Sequence, residues 1–119
     1  MQTEKELLKE IMRLLSDLEN ATYGEYKTNG VVFTPNASRF YFSAKKLYTC
    51  TDELIAQYHP NYVTSSDYNF ICASKRVILN NLSVLKEKKL KNNEITWELE
   101  LILSEIQSLF KCISMYGSD

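Results

Sequence analysis

Few groups in this 119-residue chain could do chemistry: one histidine, His59, three cysteines, Cys50, Cys72 and Cys112, and a set of carboxylates near the C-terminus. An imidazole titrates near neutrality, which qualifies His59 for general acid–base work. It precedes Pro60 at an expected helix end, where a lone histidine more often serves as a surface or capping residue. A Cys–His dyad would need one thiol folded against His59, and no spacing points to that. The cysteines form no C-x-x-C pair, so neither a metal ribbon nor a thioredoxin-type motif is written. Each lies beside apolar residues or at helical spacing from them, as small buried hydrophobes do.

Glu94 and Glu98 stand one turn apart, and Glu105 follows two turns later. Paired carboxylates perform hydrolysis when a cleft drives their pKa values apart. On a surface helix the same spacing makes a solvated acidic face, which is the expected reading. Glu-x-x-His is absent, as are the G-x-x-x-x-G-K-S/T and G-x-G-x-x-G phosphate cradles and the G-x-S-x-G elbow. Arg13, Arg39 and Arg76 have no histidine separated from them by four to six residues, which removes a small helical ribonuclease built on that pair. No catalytic residue, cofactor or metal site is expected.

The most unusual residue type is tyrosine. Seven of eight lie between Tyr23 and Tyr68, in a stretch that also holds Phe33, Phe40 and Phe42. Tyrosine offers large contact area at low entropy cost and is enriched in binding surfaces. If this stretch is a protein-binding surface, Tyr23, Tyr26, Tyr41, Tyr48, Tyr58 and Tyr62 are its natural anchors. The alternative is structural: aromatics filling gaps in a small core.

The elements that would carry these groups are helical. Thr3 can cap a first helix, with Glu6 completing a capping box. Leu7, Leu8, Ile11, Met12, Leu14, Leu15 and Leu18 then keep the i, i+3, i+4, i+7 pattern to about Asn20. Asn29-Gly30 suits a type I′ turn, so the long connection accommodates either a small β-hairpin or an ordered loop. A second helix is expected from Asn36 or Ser38 to Tyr58, on the row Phe40, Ala44, Leu47, Thr51, Leu54 and Tyr58. The competing reading makes Arg39 to Phe42 a strand paired with Val31 to Phe33.

Ser66 is placed to cap a third helix whose apolar side reads Phe70, Ile71, Val77, Ile78, Leu82 and Leu85. A fourth carries Ile95, Leu99, Ile102, Ile106, Leu109 and Ile113 at spacings of four and three, with Gly117 as its stop. Helices three and four should form an antiparallel hairpin, because their connection is very short, with helices one and two covering its apolar faces. The fold expected is all-α: one domain, 1–119, a compact bundle of about four helices.

Composition agrees. The chain is 45% hydrophobic and 24% charged with a net charge of −1, and it has only 3 Gly and 2 Pro, too few turn formers for an all-β fold. No apolar run approaches a membrane span, and the N-terminus lacks the pattern of a secretory signal. A cytoplasmic protein is the expectation. Lysine outnumbers arginine 11 to 3 beside frequent Asn, Ile and Tyr, a codon bias that points to a low-GC bacterium or phage.

Charge is uneven. Residues 66–91 hold six basic and two acidic groups, whereas 92–119 hold one basic and five acidic. The two helices can compensate along their edges. The sharper reading of the basic cluster is nucleic-acid binding by Lys75, Arg76, Lys86, Lys88, Lys89 and Lys91, with Lys45 and Lys46 in support.

The expected function is therefore that of a small non-enzymatic protein that binds another macromolecule, of the inhibitor, antitoxin, immunity or small-subunit type. A protein partner leads, and a homodimer is a further option. The alternative is a nucleic-acid-binding accessory subunit using the basic third helix.

Overall fold

The computed structural model describes residues 2–24, 35–88 and 92–116, with side chains from 95 to 111 in the last stretch. Four helices follow in order: α1 (Glu4–Tyr23), α2 (Ala37–Tyr58), α3 (Ser66–Lys88) and α4 (Asn92–Tyr116), with a 3₁₀ turn at Pro60–Thr64 before α3. The all-α bundle expected from the sequence is present. Arg39 to Phe42 belong to α2, so the strand reading fails there, and the hairpin at Asn29-Gly30 falls outside the described residues.

Local chemistry sets the helix ends. The Thr3 hydroxyl accepts from the Glu6 amide at 3.1 Å and also donates to the Glu6 carboxylate. Asn36 Oδ1 accepts from the Arg39 amide at 3.0 Å. Such caps satisfy amides that have no partner within the helix. Gly24 closes α1 with φ at 85°, the left-handed region that a residue with a Cβ enters at a cost. The cap of α3 lies one residue earlier than the sequence pattern places it. Ser65 Oγ, not Ser66, accepts from the Tyr68 amide, because the 3₁₀ turn ends at Thr64 and leaves Ser65 extended.

Neighbouring helices run antiparallel around the bundle, and cross-links fix the register of each pair. Between α1 and α2, Asp17 accepts from Arg39 and Ser43, Lys46 stands 3.4 Å from Glu10, and the Tyr58 hydroxyl donates to the Gln2 carbonyl. Between α2 and α3, Lys75 Nζ lies 2.9 Å from Asp52. Between α1 and α4, Gln107 donates to Glu19 at 3.2 Å.

The core runs through all four helices: Leu7, Leu14 and Leu18 from α1, Phe40, Ala44 and Leu47 from α2, Ile78 and Leu82 from α3, Leu99 and Ile106 from α4. Tyr48 of α2 crosses the bundle to stack on Phe110 of α4, with ring centroids 5.6 Å apart. Two buried threonines, Thr22 and Thr51, satisfy their hydroxyls on the carbonyl one turn back. No helix among the described residues is long and apolar enough to cross a membrane.

The pairing differs from the expected one in its centre of gravity. The most extensive contact is α1 with α2; α3 packs chiefly on α2, α4 chiefly on α1, and α3 shares only a small contact with α4. A groove runs between the described parts of α3 and α4.

Candidate protein-binding surface

Beside this groove α3 exposes Phe70 and Val77, which the sequence pattern placed on its apolar side, together with Val84. Along α3, Ile71, Ile78 and Leu85 are buried, while Phe70, Val77 and Val84 are exposed. Both sets recur every seven residues. They lie one residue apart, hence about 100° around the helix. The first row faces the bundle, where α2 is the main neighbour of α3, and the second faces solvent. Phe70 is 68% exposed and Val77 58%.

Across the opening, α4 presents Leu101, half exposed, and one turn earlier Trp97, 63% exposed. The groove between the two helices has a volume of 580 Å³. Val84 and Leu101 form its apolar walls, over the buried Leu85 and Ile102. Its rims differ in charge: Asn81 and Lys88 stand on the α3 side, Glu98 and Glu105 on the α4 side. Several large apolar side chains exposed together beside polar ones are a usual mark of an interaction site.

The tyrosines anticipated as anchors do not form one surface. Tyr62 and Tyr48 are 1% and 3% exposed and belong to the core, so neither is available to a partner. Burial, helped by the charge of Glu105, pushes the Tyr48 hydroxyl above its ordinary range, and that hydroxyl has no hydrogen-bond partner among the described residues. Tyr58 is half-buried and ties the chain start. Tyr41 is half-buried, edge-on to the exposed Phe42. Tyr23 is exposed at the end of α1, and Tyr26 lies outside the described residues. Tyr41 and Tyr58 are seventeen helical residues apart, about 25 Å.

The basic residues are also dispersed. Lys75 is held by Asp52 and sits 5.4 Å above the Tyr48 ring. Lys86 lies over Phe42 at 4.7 Å. Arg76 and Lys88 are exposed, on different sides of α3 at 100° per residue, and Lys89 and Lys91 are outside the described residues. Lys45 and Lys46 are exposed on α2, with Lys46 near Glu10. Among the described residues no continuous basic stripe joins these groups.

The remaining reactive groups sit apart. His59 Nε2 lies 3.3 Å from Glu4, a contact that joins the end of α2 to the start of α1. Cys50 is buried, which pushes its thiol up and away from thiolate chemistry. Cys72 is half-buried on α3, and the Cys112 and Glu94 side chains are outside the described set. Among the described residues no three His, Cys, Asp or Glu side chains converge on a metal position.

Comparison with protein-family models, curated proteins and solved structures finds no match for the chain. The α3–α4 surface therefore stands on its own geometry. The sequence did carry its signal: a second heptad row, Phe70, Val77 and Val84, beside the first.

Proposed function

We propose that this chain is a non-enzymatic binding protein that docks a preformed helical surface onto another polypeptide. One observation carries the reading: Phe70, Val77, Val84, Trp97 and Leu101 are exposed on two adjoining helices of a chain that already fills its core. A lone exposed hydrophobe needs no explanation, but a strip of five does. Tryptophan in particular is enriched among residues that dominate interface energy. The rigid helices keep the ordering cost of docking small, since the backbone is already in place.

The test compares tagged wild-type chain with the double variant Val84→Asp, Leu101→Asp in its native host. Both side chains are solvent-facing, so the variant keeps its helicity. Wild type should retain a stoichiometric polypeptide and the variant should lose it. Equal retention by the folded variant would place docking elsewhere.

A further inference from the structure

We infer that the α3–α4 groove is the seat of a second copy of this chain, paired about a two-fold axis parallel to the helices. The inference rests on the docking reading above and names its partner.

Three features select a second copy. The exposed row Phe70, Val77, Val84 repeats every seven residues, the period with which two helices keep one seam in contact. Both walls carry an apolar side chain, Val84 on α3 and Leu101 on α4. The rims are of opposite sign: Lys88 lines the groove from α3, and Glu98 and Glu105 line it from α4.

Symmetry decides how two such grooves meet. With the axis across the helices and through the groove centre, α3 would lie antiparallel on α3 and α4 on α4, setting Lys88 against Asn81 and Glu98 against Glu105, acid on acid. With the axis along the helices, α3 of each copy lies antiparallel over α4 of the other. Lys88 then meets Glu98 of the second copy, Val84 meets Leu101, and Asn81 meets Glu105, each twice. The second arrangement pairs Lys88 with Glu98 on both rims and covers both apolar walls. Four helices, two from each copy, then pack around the former groove.

Sedimentation equilibrium of the full chain at low ionic strength, where rim charges are least screened, tests this. The wild type should pass from monomer to dimer between micromolar and millimolar concentration. Glu98→Lys sets lysine against Lys88 of the second copy, and Lys88→Glu sets glutamate against Glu98. Each variant alone should dimerise about tenfold more weakly or worse. An equimolar mixture of the two restores both pairs in the mixed dimer and should recover wild-type affinity. Both residues are exposed, so circular dichroism should show unchanged helicity.

A wild type that stays monomeric overturns the inference, and so does a mixture that associates no better than its components. If dimerisation fails while the Val84→Asp, Leu101→Asp variant still loses a different polypeptide, the docking reading stands and only the second copy falls. If neither effect appears, both fall.

Discussion

The two helical pairs of this bundle are built on different terms. The α1–α2 pair buries its apolar rows against each other and pins its register with polar links along the whole length: Glu4 to His59, Glu10 to Lys46, Asp17 to Arg39 and Ser43. The α3–α4 pair touches far less, and the groove between its helices holds exposed Val84 and Leu101. The first pair shows what a matched interface in this chain looks like. The second leaves apolar side chains facing solvent, which is the basis of the docking proposal. Stability should therefore reside in the first pair and recognition in the second, and substitutions should separate the two.

The largest expected effect is at Phe40, which is fully buried. Phe40→Ala should cost about 3–5 kcal/mol by urea denaturation, the lost transfer energy plus a cavity. Val77→Ser, on the open face, should stay within about 0.5 kcal/mol. Comparable losses at both positions would dissolve the distinction.

Next comes the polar register of α1 and α2. Asp17→Ala removes the acceptor for Arg39 and Ser43 and should cost about 1–2 kcal/mol. The pH dependence follows. Burial alone raises the Asp17 carboxyl, but the hydrogen bonds from Arg39 and Ser43 and the nearby guanidinium outweigh it and hold it below the usual range. The Arg13 hydrogen bond, against an opposing burial effect, brings Glu10 down to about 2 from 4.5, with Lys46 adding to the fall. A carboxylate depressed in the folded state contributes stability above its unfolded pKa and loses it as pH falls through the folded one. Unfolding free energy should decline between pH 4.5 and about 2, and Glu10→Gln should flatten that decline.

The smallest effect is expected at Tyr48. Its buried hydroxyl has no partner among the described residues, so Tyr48→Phe removes a desolvated polar group while keeping the stack on Phe110. Thermal unfolding should show no loss and a gain of up to about 1 kcal/mol. A clear loss would show that the hydroxyl is bound in the folded chain.

Much of the fold was legible in the chain itself. The stripe from Ile95 to Leu109 and the row from Phe40 to Leu54 are buried as their spacing requires, and Thr3 and Asn36 cap the helices they precede. The exposed apolar face was harder to read. On α3 the rows Ile71, Ile78, Leu85 and Phe70, Val77, Val84 have the same period and similar hydropathy. Periodicity reports that a helix has an apolar side, not how wide a side its neighbours will cover. That is settled by α2 and α4, which depend on contacts far away in sequence. The tyrosines mislead for a related reason: residue type alone does not distinguish the buried Tyr62 from the exposed Tyr23.

Trp97 is the sole tryptophan of the chain and stands beside Leu101 on the face in question. Its fluorescence, measured in dilute solution with acrylamide titrated in, reports directly on whether that face meets water. The account predicts red-shifted emission and ready quenching in the isolated monomer. A blue-shifted, quencher-resistant signal at the same dilution would mean the face is already covered within one chain, and would contradict it.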